Sequence, residues 1–117
     1  MDQQDELREL QREYLGDVRD KLQLIRSHAS ALSKSRRFKT SFPVLLFITH
    51  QLKGSGGSLG FPSITDVARE MNVELNRYLE DDVYPRPSLS ELSKAVEGLS
   101  ERLSSVLDES ERRTGES

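Results

Sequence analysis

Apolar residues recur along the first part of the chain at Leu7, Leu10, Tyr14, Val18, Leu22, Ile25, Ala29 and Leu32, always three or four positions apart. That is the period of one helical face, so the spacing predicts a long first helix over about 4–34. Gly16 falls inside it at a cost of about 1 kcal/mol relative to alanine, which leaves room for a break or an overhanging first segment. The stretch 35–41, rich in Arg, Lys and Ser, reads as a connection. Ser41 is placed to cap a second helix over about 42–59, with Pro43 in its first turn, where a missing N–H is harmless.

Gly60, Phe61 and Pro62 then form a stop signal, and Ser63 with Asp66 has the form of a capping box for a third helix over about 63–81. Its stripe is Ile64, Val67, Ala68, Met71, Leu75, Tyr78 and Leu79. The segment 82–87 contains Pro85 and Pro87 and predicts a loop, because proline lacks a donor and restricts the residue before it. Ser88 and Glu91 make a second capping box, opening a helix over about 89–111 with Leu89, Leu92, Val96, Leu99, Leu103 and Leu107 on one face. The polar tail 112–117 is expected to fray. No segment alternates as a strand would. Four amphipathic helices with short connections bury their stripes on one another, so the predicted fold is all-α: an antiparallel up-and-down four-helix bundle with a long N-terminal helix, forming one domain over 1–117.

At 117 residues roughly two-thirds of the unfolded surface can be buried, enough for a core without crosslinks. There is no cysteine, hence no disulfide, thiolate metal site or cysteine nucleophile, and two histidines alone do not make a zinc centre. The acidic clusters Asp5-Glu6, Glu80-Asp81-Asp82 and Asp108-Glu109 lack metal-site spacing and read as solvated ends, so neither metal nor cofactor is expected. A net charge of −3 removes the positive field that nucleic acid or anionic lipid would need. No apolar run suits a signal peptide or a membrane span, and a cytoplasmic location is expected. Met1 and the polar tail add the expectation of a free-standing chain.

Chemistry concentrates between Phe47 and Gly60, which hold four of the seven glycines. At about 100° per residue, Leu45, Ile48, Leu52, Ser55 and Leu59 share the inward side of the second helix. His50 falls nearly opposite Leu52, surrounded by Leu46, Phe47, Lys53, Gly54 and Gly57. Inner packing accounts for Gly56, whereas Gly54 and Gly57 offer steric access to the imidazole. Lys53, three residues on, can swing its ammonium toward oxygens on a modified His50. Leu46 and Phe47 supply apolar surface for docking, with burial in the core an equal reading for Phe47. Ser55 is expected to bond the carbonyl four residues earlier, Phe61 to plug the turn, and His28 to be partly buried or solvated. A neutral imidazole is a competent nucleophile whose phosphoramidate readily passes the group on. No Walker pattern is present, and a G-x-G-x-x-G reading from Gly54 fails at Leu59.

The run His50-Gln51-Leu52-Lys53-Gly54-Ser55, with Gly60 ten residues after the histidine, resembles the H-x-L-K-G-S/A-x(4)-G signature of histidine phosphotransfer domains in multistep two-component signalling. The resemblance implies that His50 accepts phosphoryl from a receiver aspartate and passes it to another, while Lys53 and Gly54 support the phosphohistidine and the receiver's approach. It also implies receiver domains and a hybrid histidine kinase as partners, magnesium carried by the receivers, and no ATP site or kinase activity in this chain. Asn72 occupies the position of a family side chain that lies beside the histidine and orients it. Thr49, where alanine is common, and the pair Gly56-Gly57 depart from the usual pattern. A binding module that sequesters a receiver without chemistry is the alternative. A kinase dimerisation segment fits poorly, because Gln51 stands where an acidic residue is usual, and a monomer is expected.

Overall fold

The computed structural model describes residues 2–34, 36–80 and 87–115. Helix α1 spans Gln3–Ala31, α2 Phe38–Ser55, α3 Pro62–Leu79 and α4 Leu89–Gly115, with a short 3-10 turn at Gly57–Leu59. Each helix packs on its neighbours in chain order and α4 closes on α1, which leaves α1 and α3 on one diagonal and α2 and α4 on the other. Contacts from opposite ends establish the antiparallel sense: His28 meets Ser41 while Tyr14 meets Ser55, and Ala29 meets Ser93 while Arg19 meets Asp108. The predicted four-helix bundle is the observed fold.

The stripes become the core. Leu22 and Ile25 from α1, Leu45 and Leu52 from α2, Ile64, Met71 and Leu75 from α3, and Leu92, Leu103 and Leu107 from α4 are fully enclosed. Each such side chain contributes about 1.5–3 kcal/mol by leaving water. At the margins the stripes run past the core: Leu7, Leu10 and Leu79 are exposed. Gly16 does not break α1, which is continuous from a side-chain cap in which the Asp2 carboxylate accepts from the Asp5 amide at 2.9 Å.

Several helix ends differ from expectation. Helix α2 starts at Phe38, inside the expected connection, because the Phe38 ring packs against Phe42 and Tyr78 with centroids 5.1 and 5.7 Å away. Ser41 is therefore no cap; it lies inside the helix, buried, with its hydroxyl 2.9 Å from His28 Nδ1. Pro43 stands beyond the first turn on the exposed side, where it forgoes a bond to the Lys39 carbonyl. Helix α3 starts at Pro62 with Phe61 as an uncapped N-cap, so the Ser63/Asp66 box does not form; a proline at the first position needs no donor. The Ser88/Glu91 box does form, with the Glu91 amide donating to Ser88 Oγ at 3.1 Å. Helix α4 continues through the expected tail to Gly115, supported by Arg112 and Arg113 on Glu109 and by the Thr114 hydroxyl on the Ser110 carbonyl. The third helix ends at Leu79; the expected end at 81, most of the proline-containing loop and the last two tail residues lie outside the described residues.

Helix α2 stops at Ser55 rather than 59, and its exit packs closely on the start of α3. A Cβ on Gly56 would stand 2.6 Å from Thr65 Oγ1 and 2.7 Å from the Phe61 carbonyl oxygen. The Phe61 amide donates to the Gly56 carbonyl at 2.8 Å, and Gly60 takes a left-handed φ of 91° that suits glycine. From α1, Gln11 Nε2 donates to the Leu59 carbonyl at 2.9 Å. The backbone oxygen has little room to yield, so Gly56→Ala is expected to cost about 1–3 kcal/mol, read as a lower urea midpoint with an unchanged m-value.

Candidate functional site

Helix α2 lies between α1 and α3 and presents its fourth side to solvent. Burial of Leu45, Ile48 and Leu52 turns His50 outward, where it is exposed and makes no hydrogen bond among the described residues. An open depression beside it is lined by Gln51 and Gly54 from α2 and by Tyr14, Asp17 and Lys21 from α1. One turn before His50, Phe47 is 64 % exposed, which decides between its two readings in favour of the surface. Leu46 is half-buried and packs on the edge of the core. Nothing lies within 4 Å of a Cβ built on Gly54 or Gly57, so packing requires glycine at neither. Gly54 borders the depression, whereas Gly57 belongs to the 3-10 turn, because α2 ends before the helical projection would carry it beside the imidazole.

Lys53 is half-buried on the α3 side, with Nζ 3.3 Å from Asn72 Oδ1. Asn72, which the resemblance placed beside the histidine and which was expected to serve partner binding, is buried, and its amide engages neighbours other than His50. Its Nδ2 donates to Thr49 Oγ1 at 3.0 Å, and that hydroxyl donates to the Leu45 carbonyl at 2.8 Å. Its Oδ1 accepts from Asn76 Nδ2 at 3.0 Å as well as from Lys53. The donors and acceptors alternate consistently from the α2 backbone to the lysine, as burial demands. Among the described residues the Lys53 ammonium is bonded to this neutral amide and to no carboxylate, so its charge stays available to an incoming anion.

Sequence reasoning did not assign these supporting roles to Thr49 and Asn76. The available signal was a polar pair four residues apart, Asn72 and Asn76, at the edge of the α3 stripe, facing a hydroxyl on α2. Ser55 also differs from expectation: it is half-buried, and its hydroxyl bonds the Leu52 carbonyl, three residues back, and the Tyr14 hydroxyl at 3.0 Å. Burial pushes the Tyr14 phenol up, and the Ser55 bond opposes part of that rise. His28, at the other end of α1, is half-buried against Ser41.

A solvent-facing imidazole, a cation one turn on and bare backbone alongside suit group transfer to the ring better than binding of a small molecule, for which the depression is too open. The sequence profile of the Hpt domain matches residues 9–109, which include α2, α3 and most of α1 and α4. The chain belongs to the Hpt domain family. No curated protein and no solved structure matches it. An Hpt domain takes part in phosphorelay histidine phosphotransfer with kinases and receivers, as a phosphocarrier and not a kinase. Among the described residues of this Hpt domain no helix is long and apolar enough to cross a membrane. Because Gly54 combines open space with poor helix propensity, Gly54→Gln is expected to raise stability by about 0.5 kcal/mol in urea unfolding while slowing phosphoryl uptake from a labelled receiver.

Proposed function

We propose that His50 is the phosphoacceptor of this Hpt domain, taking phosphoryl from the aspartate of one receiver domain and surrendering it to that of another. The observation that carries this reading is the exposed imidazole, unbonded among the described residues, with Lys53 one turn on and no side chain at Gly54. In the loading step the ring nitrogen with a free lone pair attacks phosphorus. The P–O bond of the acyl phosphate breaks, its electrons return to the receiver's carboxylate, and an N–P bond forms. Lys53 offsets negative charge on the phosphoryl oxygens, where a fixed cation near a water-poor interface gains strength.

Leu46 and Phe47 form the apolar part of the docking face, and Gly54 keeps the approach clear. The receivers bring the magnesium, so the chain needs no cofactor of its own, and with no ATP site it depends on partners for loading and unloading. A hybrid histidine kinase is the proposed source of the group, and the chain acts as a monomer.

Incubation with a receiver carrying ³²P on its aspartate tests the assignment. The expected result is acid-labile, base-stable label on the wild-type chain and on His28→Gln, and none on His50→Gln. Stable receiver binding without label would instead support a module that sequesters the receiver.

A further inference from the structure

The flank of α1 beside His50 carries a second ammonium. The contacts His28–Ser41 and Tyr14–Ser55 fix the antiparallel register of α1 on α2, and the same register places residue 19 level with His50. Arg19 itself turns to α4, where it meets Asp108 and Glu111. Asp17 and Lys21, two residues to either side, instead line the depression that holds His50 and Gly54. At 1.5 Å rise per residue each stands only about 3 Å above or below the level of the imidazole.

Lys21 is not an ordinary solvated lysine. Its side chain is 22 % exposed, and its Nζ lies 2.5 Å from Asp17 Oδ2. Much of the stem is already ordered, so little further rotamer freedom is lost if the ammonium moves. Phosphorylation would bring up to about two negative charges into the depression, against one on Asp17. An ammonium within reach of both is drawn toward the larger charge. Lys53 approaches from the α3 flank, held by Asn72, so the two cations stand on opposite sides of the imidazole.

We propose that Lys21 is a second cation for the phosphoryl group on His50, held by Asp17 in the unmodified chain and shared with the phosphoryl once it is in place. The pair thereby sets how readily the group is given up. This inference rests on His50 being the phosphoacceptor. Among the described residues, the charged groups lining the depression are Asp17 and Lys21 from α1, with the phenol of Tyr14 beside them, and Lys53 of α2 stands on the other flank against the uncharged Asn72 of α3.

The test uses the full chain and potassium phosphoramidate, which needs no partner protein. The donor's P–N bond breaks, ammonia leaves with the bonding pair, and the His50 ring nitrogen bonds phosphorus. The midpoint of the phosphohistidine titration is then followed by ³¹P NMR. Removing a cation favours the protonated form, so Lys21→Gln is expected to raise the midpoint by about half a unit, the scale of a partly exposed ion pair. Asp17→Asn, which frees the ammonium, is expected to lower it, and Lys21→Arg to restore the wild-type value. Lys39→Gln, at the far end of α2, serves as the control for net charge. Unmoved midpoints in Lys21→Gln and Asp17→Asn, or a Lys21→Gln shift no larger than that of the control, would overturn the proposal while leaving the phosphoacceptor intact. A wild-type chain without phosphorus on His50 would remove both.

Discussion

One helix has to satisfy two sides at once. Leu45, Ile48 and Leu52 are drawn inward by apolar burial, and the helical period then leaves His50 no place except on the solvent side. The imidazole is thus displayed by the same force that stabilises the bundle, with no specific bond needed to hold it out. This makes the display robust. Any variant that retains the α2 stripe retains the orientation, whereas a slip of one residue along the helix would turn the ring by about 100° toward a neighbouring helix.

Placement of the cations is a different problem, because propensity and burial do not aim a flexible lysine. Neighbouring helices solve it with side-chain contacts. On one flank the Leu45 carbonyl, Thr49, Asn72 and Lys53 form a continuous polar chain whose buried members are paired. On the other, Asp17 holds Lys21 beside the same depression. Among the described residues the first arrangement pairs its cation with no carboxylate, and the second balances its cation with one. The close approach at Gly56 matters to both, since it locks the exit of α2 against the start of α3 and so fixes the height at which Asn72 meets Thr49.

Features governed by local periodicity were legible in the sequence. The four stripes, the outward His50, the inward Gly56 and the Ser88/Glu91 cap depend on residues near one another in the chain. Local preference fails where a distant contact outweighs it. Ser41 has the chemistry of a cap, but Phe38 reaches Tyr78 on another helix and pulls the start of α2 forward, leaving Ser41 to His28. Ser63 and Asp66 have the spacing of a box, yet Pro62 already supplies a helix start that needs no donor. Asn72 was singled out by analogy for a place beside the histidine, and its burial under Lys53 depends on the crossing of α2 and α3, which no single-helix projection contains. Lys21 was invisible for the same reason, since only the register of α1 on α2 brings it to the site.

The proposed function depends on the difference between two imidazoles, His50 open to solvent and unbonded among the described residues, His28 half-enclosed and tied to a serine hydroxyl. Diethyl pyrocarbonate attacks free neutral imidazole, and mass spectrometry resolves the product at each position of the native chain. His50 is predicted to react several-fold faster than His28, with the difference abolished in denaturant. Equal rates in the folded protein, or a protected His50, would contradict the outward-facing histidine on which the function depends.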